Sequence, residues 1–376
     1  MVAENLKPRV LIVAGQLTLG GAERELVTFL EGGASEGADI HVISLAPGGA
    51  FRPRVEELLG RDVLSPPWPD RPRRMLWMRR TLDRISPDLI HAWNLFPIFY
   101  LWLTGARHRC PVIGFLQQTP DQAMAEAAHP WLYRFLVEQT DALVSNSHAA
   151  LEETLRIGVR KTPSRVVHNG VSSRFFQAEP APEALESRGE GVVLVALGRL
   201  IKRKRVDWML RAVAHVPEAT LWVIGDGPER EHLEQLALDL GVKSRVVFWG
   251  ARGDPTPILA GADVFVHCAW AEGLPNAVQE AMAIGLPVLA PRISGIPEVV
   301  SDGEEGLLYQ RDDFVGFLVR LKRLIKDPDI RFQLGRNARL RAEREFAPEV
   351  MAFRILEFYK DVLLDDPGTT RTAEWQ

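Results

Sequence analysis

Short apolar runs rich in β-branched residues recur along the whole chain and alternate with segments of helical periodicity. This alternation constrains the fold more than any other feature, because strands linked through helices pair in parallel and the helices cover the sheet faces. In the first half the strand segments are Val10–Ala14, Ile40–Leu45, Leu89–Trp93, Val112–Leu116, Ala142–Ser145 and Arg165–His168. Helical patterns cover Ala22–Gly32 and roughly Ala123–Gln139, and a third helix runs from Ser147, an N-cap, to Gly158, a stop. The rhythm breaks at Gln177–Gly191, where Pro180, Pro182, Gly189 and Gly191 fall among scattered charges, and a linker is expected there. It restarts with strands at Val192–Leu197, Thr220–Ile224, Arg245–Phe248, Ala262–His267 and Pro287–Ala290. Helices near Val206–His215, Glu229–Leu240 and Ala277–Ile284 separate them, and Asp312–Leu364 is helical with breaks at Pro328 and Pro348. The economical architecture is two α/β domains facing across a cleft. Residues 1–176 are expected to form the first domain, 177–347 the second, and 348–376 a C-terminal helix, returning to the first domain, with a tail.

Composition excludes several function classes. With 45 Lys and Arg against 49 Asp and Glu, the net charge of -4 lacks the bulk positive field of a dedicated nucleic-acid binder, so any basic patch is local. Cys110 and Cys268 make neither a disulfide framework nor a metal-ligand spacing. The longest apolar run, Leu95–Leu103, is interrupted by Pro97 and is far short of the ~20 residues of a membrane span. Met1–Ala14 reads as a first strand rather than a signal peptide, and the expected location is cytoplasmic.

Three features face phosphate. Gly20 and Gly21 follow the first strand and open a helix, where an anion can approach backbone N–H groups; the same pair also serves a plain tight turn. A nicotinamide dinucleotide fits poorly, since Gly-x-Gly-x-x-Gly and an acidic residue ending the second strand are both missing. Gly225-Asp226-Gly227-Pro228 needs only a structural explanation, with Pro228 at the first helical position. Gly198-Arg199-Leu200-Ile201-Lys202-Arg203-Lys204-Arg205 is sharper. It places five cations at the carboxyl end of a strand, where open α/β sheets bind ligands, and Arg199 can fork onto phosphate oxygens while Lys204 acts as a mobile point charge. The third feature is Glu272-Gly273-Leu274-Pro275-Asn276 through Glu280: one carboxylate in a loop, another a turn into a helix that Asn276 could cap, and free N–H groups between them.

Taken together these motifs resemble the retaining glycosyltransferases of family 4, most strongly from Ser145 to Gly306. The resemblance rests on Ser145-Asn146-Ser147, Asn169-Gly170-Val171, Gly198-Arg199-Leu200 with Lys204, Gly225-Asp226-Gly227-Pro228, Ala262-Asp263-Val264-Phe265, Glu272 to Ala283, and Gly285-Leu286-Pro287-Val288. Gly20 to Arg24 and Pro87-Asp88-Leu89-Ile90-His91 add to it, less distinctively. It implies the GT-B fold, two Rossmann-like domains, and a nucleotide-diphosphate sugar as donor, a UDP-sugar being favoured. By the resemblance Arg199 and Lys204 contact the diphosphate, Glu272 the sugar hydroxyls and Glu280 the ribose. Backbone at Gly273, Leu274, Pro275 and Asn276 lies over sugar and phosphate, Gly250 and Arg252 lie near the base, and Gly20 and Gly21 close on the diphosphate. No metal is expected, because protein cations replace it; the only Asp-x-Asp, Asp327-Pro328-Asp329, reads as a cap.

One position departs from the family. Where many relatives carry a histidine after the Val112–Leu116 strand, this chain has Gln117, which hydrogen-bonds but does not titrate near neutral pH. His91, Asn94 and Gln117 are the expected contacts for acceptor or sugar, whereas His129 reads as an ordinary histidine. The acceptor is a saccharide, a lipid-linked carrier or a small metabolite. Arg71, Arg73, Arg74, Arg79, Arg80 and Arg84 surround Met75-Leu76-Trp77-Met78, which suits either a helix lying on anionic lipid or a solvated helix packed by its apolar face. Two rival functions stay open: a nucleotide-sugar 2-epimerase of related fold, and a nucleotide-sugar-binding partner subunit without turnover.

Overall fold

The computed structural model describes residues 7–18, 20–68, 70–118, 120, 130–159 and 162–364. His129 lies outside them, as do the first seven residues of the expected Ala123–Gln139 helix, whose remainder forms the helix Pro130–Glu138, and the tail from 365. The chain divides into two units, one formed by Met1–Gly170 with Pro348–Gln376, the other by Val171–Ala347.

The first unit is built on strands β1 (Arg9–Ala14), β2 (Asp39–Ser44), β3 (Leu89–Ala92), β4 (Val112–Leu116), β5 (Ala142–Ser145) and β6 (Ser164–Val166), in the order β2-β1-β3-β4-β5-β6. Every pairing is parallel. β1 is apolar on both faces because both faces are covered: Val10 and Ile12 join one core while Leu11 and Val13 join the other. The Pro348–Leu364 helix inserts Met351, Ala352, Ile355, Phe358 and Tyr359, the inward stripe of a helix, into the first of these cores. It lies so close to the Gly21–Glu31 helix that a Cβ on Gly32 would fall on the Pro348 carbonyl.

The second unit carries β7 (Val192–Leu197), β8 (Ala219–Ile224), β9 (Val246–Gly250), β10 (Val264–Val266), β11 (Val288–Pro291) and β12 (Gly306–Tyr309), in the order β12-β11-β10-β7-β8-β9. All of these pairings are parallel too. The fold is therefore α/β with two six-stranded parallel sheets, as the alternation predicts. Several local expectations need correction. The Pro- and Gly-rich segment 177–191 contains the helix Pro182–Glu186, whose Ala184 is buried in a core of the second unit, so it is packed structure rather than a free linker. Strand β12 is absent from the sequence reading. Asn276 does not cap its helix but begins it, after Pro275. Pro228 lies ahead of the Arg230–Asp239 helix rather than at its first position. Ser147 does cap its helix, accepting from the Ala150 N–H, and Asp327 caps the next helix the same way through Ile330.

Candidate active site

In the second sheet, connections run to one side of β7 through β8 and β9 and to the other through β10, β11 and β12. The strand order therefore reverses between β7 and β10. Loops leaving the carboxyl ends of such a pair diverge and leave a crevice, the usual ligand position of an open α/β sheet. The cationic loop follows β7 and the Glu272 loop follows β10, so the topology gathers two motifs that lie about 70 residues apart in the chain.

The β7 turn is tight. Gly225, at φ +137°, sits where a Cβ would strike the Gly198 carbonyl, and the Leu200 N–H donates to the Asp226 carbonyl at 2.9 Å. This is the structural role expected for Gly225-Asp226-Gly227. Beyond the turn the cations separate by function. Arg205, held at φ +51°, turns away to pair with Asp312 at 2.7 Å and to stack on Trp208. Lys204 turns back under Gly198 and reaches Glu272 Oε1 at 2.5 Å. Arg203, which the sequence reading did not single out, binds the same loop three times. Its guanidinium donates to the Ala271 carbonyl at 2.5 Å and pairs with Glu272 Oε2 at 3.2 Å, while its carbonyl accepts from the Trp270 N–H. Arg199 is exposed and, among the described residues, its guanidinium makes no hydrogen bond or ion pair.

Burial opposes the charge on Glu272, yet the neighbours, Lys204 foremost, outweigh it and hold the carboxyl below its ordinary value. His267, fully buried at the end of β10 and 3.8 Å from Glu272, is pushed down to about 4 by burial and by Lys204 and Arg203, and is neutral at pH 7. Two cations thus face one carboxylate, and the free Arg199 leaves the strand edge net positive.

After Glu272 the chain enters the Asn276–Ile284 helix, whose N-terminus has no side-chain cap. Gly273 accepts from the Gly295 N–H, Leu274 and Pro275 are buried, and Glu280 is buried one turn into the helix. Gly250 ends β9 at φ +72° and accepts from the Gly225 N–H, and Arg252 stacks on Trp249 beside it. Arg199, Lys204, Gly250, Arg252, Glu272, Gly273, Leu274, Pro275, Asn276 and Glu280 accordingly all belong to this unit's carboxyl strand edge or to the helix that leaves it.

The first unit also reverses strand order, between β1 and β3. Gly20 and Gly21 follow β1 and Asn94 follows β3; Gly15 lies against Asn94 there. The Gly20 turn is filled by Glu23, whose carboxyl is pushed up by burial while its own backbone N–H and Gln16 donate to it. Asn94 accepts from the Phe96 N–H at 3.1 Å. Gln117 follows β4 and donates to Glu25 at 2.7 Å. The expectation for His91 needs correction. It is fully buried, its Nδ1 lies 2.6 Å from the Tyr359 hydroxyl, and Trp93, Phe115 and Tyr359 surround the ring. Burial pushes it down to about 3, so it is a neutral core residue rather than a ligand contact. Among the described residues, no group of three or more His, Cys, Asp or Glu side chains is placed to hold a metal ion.

Comparison with known proteins finds matches in both halves of the chain. The sequence model described as Glycosyltransferase Family 4 matches residues 19–175, and that described as Glycosyl transferases group 1 matches 191–327. The chain belongs to glycosyltransferase family 4. Among curated relatives of this family 4 chain, the lipopolysaccharide core biosynthesis glycosyltransferase LpsE of Rhizobium meliloti is 32% identical over 61% of this chain and 65% of its own length. LpsD of the same organism is 28% identical over 91% of this chain and 95% of its own. The crystal structure of Anabaena Alr3699/HepE in complex with UDP superposes with a TM-score of 0.80 at 22% identity, covering 94% of this chain and all of that one, which establishes the GT-B fold.

Proposed function

We propose that this family 4 enzyme transfers a sugar, with retention of anomeric configuration, from a nucleotide diphosphate to a saccharide hydroxyl on a membrane-borne glycoconjugate, UDP-sugars being the favoured donors. The observation that carries the reading is the cation excess between β7 and β10: unpaired Arg199 beside Lys204 and Arg203, which share the one carboxylate of Glu272. Such an edge attracts a diphosphate, and its charges are fixed before the reaction begins. Donor arrival offers Lys204 a second anion, leaving Glu272 free to accept from sugar hydroxyls; Glu280 accepts from the ribose. In the transfer the anomeric carbon's bond to phosphate oxygen breaks as its bond to the acceptor oxygen forms on the same face. The departing phosphate oxygen takes the acceptor's proton, and the nucleoside diphosphate leaves with its charge on Arg199 and Lys204.

Because protein cations do the neutralising, we expect turnover to persist in EDTA. The UDP bound to Alr3699/HepE supports the choice of base, and the names of LpsE and LpsD support a lipopolysaccharide-type acceptor, with the enzyme working at the cytoplasmic face of a membrane. Thermal unfolding in the presence of UDP or GDP tests the donor half: UDP raises the melting temperature by binding only the native protein, and the Lys204→Ala variant loses that rise. NMR of the product glycoside reads the anomeric configuration. Inversion, or a sugar product formed with no acceptor present, would overturn the proposal.

A further inference from the structure

Three helices of the first unit pack on the same core on one face of the sheet: Arg71–Ile85, which crosses over β1 from β2 to β3, and Phe96–Leu103 and Pro130–Glu138, which join neighbouring strands. The first turns Met78, Thr81, Leu82 and Ile85 inward, so Arg73, Leu76, Arg80 and Arg84 point outward, with Arg79 exposed beside them. Arg79, Arg80 and Arg84 have no hydrogen-bond or ion-pair partner among the described residues, and the helix's one acidic side chain, Asp83, is taken by Arg109. Like charges so placed repel one another. Arg74 leads from this helix to the next, its guanidinium over the Tyr100 ring and 3.3 Å from the Tyr100 hydroxyl. From Tyr100 a run of ring contacts crosses the layer: Phe99 at 5.9 Å, Trp102 at 6.2 Å from Phe99, Phe135 at 5.1 Å from Trp102, and Trp131 at 6.4 Å from Phe135. Phe96 joins the run 5.8 Å from Tyr100, and the outer rings are open to solvent, with Phe96 57%, Trp102 45% and Trp131 64% exposed.

We infer that this three-helix face docks on an anionic lipid bilayer, the arginines meeting lipid phosphates and Trp102, Trp131 and Phe96 entering the interface. Charge complementarity selects this occupant. The whole chain is acidic at -4, so unpaired arginines concentrated on one face orient that face toward a negative surface. Indole rings beside them suit headgroup depth, where one edge is wet and the other apolar. No helix among the described residues is long and apolar enough to cross a membrane, so this contact is a surface one. The inference rests on the reading of a membrane-borne acceptor, and a binding measurement that needs no turnover separates the two.

Flotation with phosphatidylglycerol–phosphatidylcholine vesicles tests it, using the full chain. Wild type floats with these vesicles at low salt and stays behind with phosphatidylcholine alone. Arg79→Ala with Arg80→Ala cuts partitioning about 25-fold, at about fivefold per arginine. Trp102→Ala costs about tenfold and its effect survives 1 M salt, where the Debye length is about 3 Å. Unchanged UDP affinity and melting temperature certify the folding of each variant. Wild type that does not float, or an arginine pair variant that floats equally well, overturns the inference. So does concentration-dependent self-association lost in Trp102→Ala with flotation intact, which would assign the face to a second copy. Flotation without any sugar transfer would instead sink the acceptor reading and leave the surface standing.

Discussion

The two units share a parallel-sheet design with a reversal of strand order, yet they treat the polar residues at that edge in opposite ways. In the second, Lys204 and Arg203 crowd one carboxylate and Arg199 has no partner, so the edge carries unspent positive charge. In the first, the corresponding groups are satisfied from within: Glu23 fills the Gly20 turn, Glu25 receives Gln117, and Tyr359 covers His91. Topology supplies a crevice in both cases, but only the loop residues decide whether an anion is drawn to it. On the proposed reading, the diphosphate's main electrostatic support comes from the second unit.

The strongest way to break that comparison is to remove its charges. Lys204→Ala and Glu272→Ala are expected to lower turnover about 10²–10³-fold with the protein still folded, as for the loss of one preorganised group facing developing charge. Steady-state release of nucleoside diphosphate from a panel of UDP- and GDP-sugars measures this, and full activity in both variants would falsify the site assignment. Arg199→Ala is smaller. Losing one charge-assisted hydrogen bond to phosphate should weaken UDP binding about 10–100-fold by calorimetry. An equal loss from Gln117→Ala would mean that the first unit contributes as much as the second.

Arg203 sharpens the comparison, since it touches the Glu272 loop and acts on the reaction only through it. In Arg203→Gln, burial of Glu272 is opposed chiefly by Lys204, so its pKa rises from a value that is lowered in the wild type. A carboxylate with a depressed pKa keeps its charge above that value and loses it as pH falls. The variant therefore loses activity at a higher pH on the acid side, with a drop of about tenfold at neutral pH from the broken contact to Ala271. Arg203→Lys restores part of both. A pH–rate profile whose acid limb does not move would leave Arg203 with a purely structural role.

Much of this site is legible in the sequence, because glycines, cations and carboxylates at strand ends have few structural reasons to occur together. The two six-stranded sheets follow from the alternation, but β12 escapes it. Gly306–Tyr309 is four residues long, lacks β-branching and forms a sheet edge, so periodicity has almost nothing to register. Arg203 is hidden for another reason. Within four consecutive cations no local rule tells which point inward; the left-handed turn at Arg205 and the partner Asp312 settle that through tertiary contacts. His91 misleads because a strand-end histidine looks available for chemistry, while Tyr359, which covers it, comes from the last helix.

The smallest effect comes from those buried imidazoles and is read as stability rather than rate. Burial holds His91 at about 3 in the folded protein, against an ordinary value of 6.5. Between those values the unfolded chain binds a proton that the folded one refuses, so the stability contributed at neutral pH is lost as pH falls from 6.5 toward 3. One such group gives a slope of up to about 1.4 kcal/mol per pH unit. His91→Gln, neutral throughout, should flatten the acid destabilisation of the first unit. His267, held at about 4, imposes the same dependence on the second. Hydrogen exchange resolved by segment separates the two: His91→Gln slows acid-induced opening of β3 and the Pro348–Leu364 helix, leaves β10 unchanged, and leaves UDP affinity at the wild-type value. If His91→Gln instead weakens UDP binding as much as Arg199→Ala does, the first unit reaches the donor through that histidine and the division of labour drawn between the two units is wrong.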